Sequence, residues 1–340
     1  MSTNTDGASP QISPAGKVVA LSGGIGGAKL ALGLQRVLPS GALTVVANTG
    51  DDFEHLGLHV SPDIDTLVYT LSGRSNMVAG WGRADETWSF MQALEDLGGE
   101  TWFKLGDRDL AMHVVRTMRL RQGDTLSAIT ADVCAGLNVG ADIVPMSNQP
   151  VRTRLRTDGG WLDFQDYFVA QQARPVVREI AYAGTESARP ADGLCELIAG
   201  DDIDAIVVCP SNPFISVEPI LAVPGVRAAI ESAAAPVVAV SPIIAGKAVK
   251  GPTAKMFEEL GQEATAAAVL ERYAGLIHVF IADPRDIPAL EGVGSDVTLV
   301  AANVMMTTLE ERERLARKVL AAAGRVVRNE GDLCSRLGSS

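Results

Sequence analysis

Short apolar runs alternate along the chain with stretches in which apolar residues recur every three or four positions. Val18-Val19-Ala20-Leu21, Leu43-Thr44-Val45-Val46-Ala47, Ala205-Ile-Val-Val-Cys209, Pro236-Val-Val-Ala-Val240 and Leu276-Ile-His-Val-Phe280 are of strand length and almost wholly apolar. Strands apolar on both faces belong in a parallel sheet covered on both sides. Strands are therefore predicted at each of these runs, with a last one near Val297–Val300. Helical spacing follows the first strand over Gly27–Val37, where Leu30, Leu34 and Val37 share a face and Pro39 stops the run. It recurs near Asp192–Ala199, Ile220–Glu231, Thr253–Leu260, Glu263–Tyr273 and Leu309–Ala323, and Asp65–Leu71 begins a helix after Ser61-Pro62-Asp63. Strand–helix alternation of this kind predicts an α/β fold built on a doubly wound, mostly parallel, Rossmann-like sheet.

Between residues 76 and 174 the pattern changes. Trp81, Trp88 and Trp102 fall in this stretch, with helical spacing over Trp88–Leu97 and Leu110–Leu120. Val151-Arg-Thr-Arg-Leu155 then alternates ahead of a turn at Asp158-Gly159-Gly160. The stretch reads as an inserted, largely helical second domain or lid. The Rossmann-like core then comprises residues 17–75 and 175–325, with tails at 1–16, rich in Ser, Pro and Gly, and at 326–340.

Composition removes several functions. The 340 residues are 47% hydrophobic and 5% aromatic, which suits close helix–sheet packing and argues against disorder. A formal charge of −12 argues against a broad nucleic-acid surface. No apolar run approaches membrane-spanning length, and no signal peptide is recognisable, so the expectation is a cytoplasmic protein away from membranes. The cysteines, 134, 195, 209 and 334, are far apart and read as reduced thiols. Of the histidines only His55 and His59 have a ligand-like spacing, and neighbouring Gly57 and Pro62 argue against a helix that would present both. A homodimer is the expected assembly on general grounds.

The chemistry concentrates in loops at the C-terminal ends of the strands. Ser22-Gly23-Gly24-Ile25-Gly26-Gly27-Ala28-Lys29 links the first strand to a helix. Exposed N–H groups and the helix dipole favour an anion there, and glycine lets a phosphate approach the backbone. The loop matches neither G-x-G-x-x-G, since Lys29 stands where the third glycine belongs, nor the P-loop, since Leu30 follows the lysine. Carboxylates for a metal must come from elsewhere. Asn48-Thr49-Gly50-Asp51-Asp52 and Ser61-Pro62-Asp63-Ile64-Asp65 supply them, and Asp51 with Asp65 fits the oxygen ligation of Mg²⁺ on a phosphate substrate. The plainer reading of Asp63 is a helix cap.

Three further segments join these. Ser211 and Asn212 follow a buried strand in Cys209-Pro-Ser-Asn-Pro-Phe214, where Asn212 is suited either to a nucleobase edge or to an Asx-type turn. Lys247 and Lys250 follow Ser241-Pro-Ile-Ile-Ala-Gly246 and are suited to phosphate or to solvent. Trp81, Asp85, Thr87 and Trp88 place aromatic rings beside polar groups, for stacking a flat ring or for packing a core.

Taken in order, these segments resemble one family, the 2-phospho-L-lactate transferases of deazaflavin coenzyme F-420 biosynthesis. The resemblance rests on Leu21-Ser-Gly-Gly-Ile-Gly-Gly-Ala-Lys29, Asn48-Thr-Gly-Asp-Asp52, Pro62-Asp-Ile-Asp-Thr66, Gly80-Trp-Gly82, Asp85-Glu-Thr87 and Leu105-Gly-Asp-Arg-Asp-Leu-Ala111. It continues through Pro145-Met-Ser147, Phe164-Gln-Asp-Tyr-Phe-Val169, Pro210-Ser-Asn-Pro213, Val240-Ser-Pro-Ile-Ile244 and Val249-Lys-Gly-Pro252, and covers about residues 17–286.

The resemblance implies a reaction between a guanosine-diphosphate-linked acid and the deazaflavin Fo, in which the ribityl hydroxyl attacks the acid-bearing phosphorus and GMP leaves. It implies that Gly23, Gly24, Gly26, Gly27, Lys29, Ser211, Asn212 and Lys250 bind the donor, and that Asp51 and Asp65 hold Mg²⁺. It also implies that Trp81, Asp85, Thr87 and Trp88 bind the deazaflavin, with Asp52 and Asp63 as candidate bases. The donor acid, phospholactate, phosphoenolpyruvate or phosphoglycerate, stays open. The family's Ser-Pro-Ile-[IV]-Gly-Gly appears as Ser241-Pro-Ile-Ile-Ala245-Gly246, an alanine where a positive φ would favour glycine. The alternatives are a non-catalytic nucleotide-sugar-binding regulator of a related family and a nicotinamide oxidoreductase.

Overall fold

In the computed structural model, β1 (Lys17–Ser22) runs into α1 (Gly24–Val37) and returns as β2 (Leu43–Ala47). The structure describes residues 16–76, 81–248 and 252–337. The hairpin β3 (Phe53–His55) and β4 (Leu58–Val60) leads to α2 (Pro62–Leu71), and α3 (Ser89–Asp96), α4 (Asp107–Arg121) and α5 (Leu126–Gly136) follow. Next come β5 (Asp142–Pro145), β6 (Arg152–Thr157), β7 (Gly160–Asp163), β8 (Val177–Ala183), α6 (Leu194–Ile198) and β9 (Ile203–Val208). The chain continues through α7 (Glu218–Ala222), α8 (Val226–Ser232), β10 (Val237–Val240), the short hairpin β11 (Ile243–Ile244) and β12 (Lys247–Ala248), α9 (Thr253–Glu259) and α10 (Ala266–Arg272). It closes with β13 (Val279–Ala282), α11 (Ile287–Leu290), β14 (Thr298–Ala301) and α12 (Leu309–Leu337).

Seven strands form the central sheet in the order β14-β13-β10-β9-β1-β2-β5, and every pairing is parallel. Alternate residues serve opposite faces: Val19 and Leu21 join one core with Ile206 and Val208, while Val18 and Ala20 join the other with Ala205 and Val207. Both faces are buried, which is why these strands carry almost no polar residue. The strand order reverses direction between β1 and β9. The loops leaving those two strands therefore diverge and open a crevice, the usual ligand position in such sheets.

Three expectations need correction. Residues 76–174 are not one helical body: after α3–α5, β5 returns to the edge of the central sheet beside β2, and β6 then joins β7 and β8 in an antiparallel sheet that runs past residue 174. The helix expected over Ile220–Glu231 is two, α7 and α8, because Pro224 and Gly225 (φ +92°) interrupt it. The closing helix does not end at Ala323 but runs to Leu337, through the stretch expected to be a tail; Gly324 lacks the positive φ of a helix-terminating glycine. The expected tail at 1–16 lies outside the described residues except for Gly16.

Candidate functional site

The crevice between β1 and β9 is held by glycines that no larger residue replaces. Gly24 sits at φ +64°, turning the chain from strand to helix. A Cβ on Gly26 would stand 2.3 Å from the Pro210 carbonyl oxygen, and one on Gly27 would strike the hydroxyls of Ser22 and Ser211. The Ser211 hydroxyl donates to Gly23 O at 2.7 Å, so it ties the two loops together. The first turn of α1 carries no acidic residue, and Gly23, Gly24, Gly26 and Lys29 line a cleft of about 890 Å³ above it. Gly27 is absent from that lining; its role is the close approach of helix and strand.

Opposite this helix terminus stand the acids. Asp63 accepts the Gly24 N–H at 2.6 Å through Oδ1 and the Asn48 Nδ2 at 2.8 Å through Oδ2. Burial nonetheless pushes its carboxyl up to about 6, with those hydrogen bonds opposing the shift. Asp51 is buried, its Oδ1 has no hydrogen-bond partner among the described residues, and it lines the cleft. Desolvation, reinforced by the charge of Asp63, raises its carboxyl well above the usual range. Asp52 is buried too, but its Oδ2 faces His59 Nε2 (3.2 Å) and accepts from Ser61 Oγ (2.9 Å), and it is not part of the lining. Its Oδ1, like that of Asp51, has no hydrogen-bond partner among the described residues.

Asp65 enters a second cluster. Arg116, fully buried on α4, makes a two-pronged contact with its carboxylate; burial still raises the Asp65 carboxyl more than Arg116 lowers it. His113 Nδ1 lies 3.7 Å from Asp65 Oδ2, and His113 Nε2 lies 3.2 Å from Asp109 Oδ2. Tyr69 donates to Asp109 Oδ1 at 2.6 Å. Against the burial that raises it, hydrogen bonds from His113 and Tyr69 hold the Asp109 carboxyl below its ordinary value. Ligand atoms of Asp65, Asp109 and His113 lie within 4.8 Å of one another, a spacing that suits a divalent cation. The unpartnered oxygen of Asp51 fits the same kind of ion.

Aromatic rings wall the rest of the cleft. Trp81 is 54% exposed and lines it. Trp102 and Phe103 line it as well and pack against Phe53 and His55 of the β3–β4 hairpin. Phe164 and Phe168 stack at 5.3 Å and 11° on a further wall.

The structure thus gathers Gly23, Gly24, Gly26, Lys29, Asp51, Asp63, Asp65, Trp81, Ser211 and Asn212 around one space. Asn212 forms the Asx-type turn: its Oδ1 accepts the Phe214 N–H (2.9 Å), and its Nδ2 donates to Met256 Sδ at 3.7 Å. Asp85, Thr87 and Trp88 are exposed and absent from the lining. Thr87 instead donates to Asp107 Oδ2 at the start of α4, and Trp88 begins α3. Lys250 lies outside the described residues. Asp109, His113, Trp102, Phe103 and the Phe164–Phe168 pair were not assigned from sequence. Asp109 and His113 stand four apart on a helix, a carboxylate–imidazole spacing that a search for paired histidines passes over.

A parallel α/β sheet with a glycine loop, buried carboxylates and an aromatic-walled cleft at its switch point is the arrangement in which open α/β sheets place their ligand sites. The family model for 2-phospho-L-lactate transferase, CofD, matches residues 18–322, and the chain belongs to that family of transferases of phosphate-containing groups. A phosphoenolpyruvate transferase of Streptomyces griseus is 42% identical over 317 residues, covering 91% of this chain and 99% of its own. One from Mycolicibacterium smegmatis is 36% identical over 329 residues, with 91% and 99% covered. Among solved structures, a UPF0052-family protein of Bacillus halodurans superposes with a TM-score of 0.61 at 15% identity, covering 90% of this chain and 98% of that one, and shows the shared fold. Among the described residues no single helix is long and apolar enough to cross a membrane.

Proposed function

We propose that the protein transfers a phospho-acid group from a guanosine-diphosphate-linked donor to the ribityl hydroxyl of the deazaflavin Fo, releasing GMP, in coenzyme F-420 biosynthesis. The relatives named phosphoenolpyruvate transferase favour a phosphoenolpyruvyl donor. The observation that carries the reading is the unpartnered, buried Asp51 oxygen in the same cleft as the acid-free N-terminus of α1.

In this reading the N–H groups at the start of α1 and Lys29 bind the donor diphosphate. Asp51 and Asp65 hold Mg²⁺, with Asp109 and His113 orienting Asp65. When bound, the cation neutralises charge on the diphosphate. Trp81 and the aromatic walls stack the deazaflavin and exclude water. The new bond joins the ribityl oxygen to the acid-bearing phosphorus, the bond from that phosphorus to the GMP oxygen breaks, and the hydroxyl proton is lost. The work of the protein is alignment and charge placement. Asp63, with both oxygens engaged, fixes the glycine loop.

The test is a mass-spectrometric turnover assay with Mg²⁺, Fo and the three guanosine-diphosphate donors in competition. A dominant Fo phosphodiester with equimolar GMP is the expected result. Bound GDP without product from any donor would instead identify a nucleotide-binding regulator.

A further inference from the structure

Among the described residues two arginines, Arg116 and Arg312, are almost fully buried, and the fold treats them differently. Arg116, 2% exposed, is neutralised by Asp65. Arg312, 4% exposed, has no carboxylate partner among the described residues, and its Nε has no hydrogen-bond partner among them either. A buried cation without a counter-charge is costly, so its surroundings favour an anion.

Arg312 is placed firmly. It lies in the first turn of α12, where Thr308 and Glu311 cap each other reciprocally. Its backbone packs so close to α1 that a Cβ on Gly33 would stand 2.3 Å from its carbonyl oxygen. Its side chain reaches a second, smaller cavity of about 120 Å³. Lys29, Thr66, Thr70 and Thr307 line the same space, and no carboxylate is among its lining residues. Two cationic side chains and four hydroxyls, those of Thr66, Thr70, Ser75 and Thr307, are chemistry suited to an anion. Thr66 and Thr70 sit one turn apart on α2, the helix whose first turn carries Asp63 and Asp65. Ile25, Lys29, Thr66, Trp81 and Gly82 border both this cavity and the main cleft, so the two are contiguous at the N-terminus of α1.

We propose that the Lys29–Arg312 cavity is the subsite for the carboxylate of the donor's acid. The inference rests on the transferase reading above. A diphosphate at the start of α1 directs whatever its outer phosphorus carries into the neighbouring space, which suits a three-carbon acid and is too small for a nucleobase with its ribose. A guanidinium offers the carboxylate paired donors, with the threonine hydroxyls beside it.

The experiment is calorimetric titration of the full-length protein, in Mg²⁺, with GDP and with the enolpyruvate-bearing guanosine diphosphate conjugate. Wild type should bind the conjugate at least tenfold more tightly than GDP. Arg312→Gln should abolish that preference while leaving the GDP Kd within twofold, and Arg312→Lys should restore part of it. Thermal melting of Arg312→Gln should show no loss of stability. If that variant does not fold, Thr70→Val provides the same comparison with a smaller effect. An Arg312→Gln protein that keeps the preference, or that loses affinity for both ligands equally, returns Arg312 to architecture and overturns the subsite. Wild type that binds both ligands equally yet turns over overturns the subsite alone. Wild type that binds neither nucleotide overturns the transferase reading, and the subsite with it.

Discussion

The carboxylate of Asp63 accepts the backbone N–H of Gly24 at 2.6 Å, across 39 residues of sequence. One acid at the start of α2 thereby sets the conformation of the glycine loop at the start of α1. The same carboxylate holds Asn48, whose Oδ1 in turn accepts Gly50 N at 2.8 Å. The glycine loop and the acidic loop are thus one hydrogen-bonded unit.

Asp63→Asn places an amide N–H against Asn48 Nδ2 and disrupts this unit. GDP affinity should fall about tenfold or more, corresponding to one or two buried hydrogen bonds, as read by calorimetry. The pH dependence of stability provides a second readout. An unfolded aspartate titrates near 3.9, whereas the folded one titrates near 6. Between those values the folded protein keeps a proton that the unfolded chain has lost. Its contribution to stability is therefore full below the lower value and is lost as pH rises through the upper one. Without divalent cations, the melting temperature of wild type relative to Asp63→Asn should decline from pH 4 to pH 6 and then level off. A difference that stays flat across this window removes Asp63 as the titrating group.

Asp51→Asn tests the cation. Turnover should drop at least about a hundredfold, the scale at which charge-stabilising groups act. The apo protein should melt no lower than wild type, because the substitution removes a buried carboxylate whose oxygen lacks a partner. Near-normal turnover across a magnesium titration would exclude Asp51 as a ligand.

The tryptophans separate ring binding from local packing. Trp81→Ala should raise the KM for Fo about tenfold, a base-stacking increment, with GDP affinity unchanged. Trp88, outside the cleft lining, should leave the KM for Fo within twofold when replaced by alanine. Equal effects of the two substitutions would contradict the assignment.

Ala245 stands in the two-residue turn between β11 and β12 at φ +49°, followed by Gly246 at φ +70°. Two positive φ values in such a hairpin favour glycine or asparagine. Alanine costs about 1 kcal/mol in the left-handed region. Ala245→Gly should therefore raise the melting temperature by about 2 °C, measured by calorimetry.

Much of the glycine-loop half of the cleft was legible. Apolar strands followed by Gly23–Lys29, Asn48–Asp52 and Pro210–Asn212 announce themselves because a parallel sheet puts such loops on one edge. Side-chain direction was not legible: Asp51 and Asp52 are adjacent, and only the fold shows that one enters the cleft and the other turns to His59 and Ser61. The Asp65–Asp109–His113 cluster depends on α4 packing across α2, a contact that no local pattern encodes. The four residues of β5, at the edge of the sheet, carry too little periodicity to mark a strand of the core.

The two hydrogen bonds between Ser211 and Gly23 span 188 residues. They carry a consequence for the order of events during synthesis. A ribosome that has released only the first two hundred residues has supplied the glycine loop and the acids, but not the strand and loop that close the crevice. Competence to bind nucleotide should therefore arrive late and abruptly, once β9 docks beside β1, and a truncated chain ending before β9 should not be rescued by nucleotide.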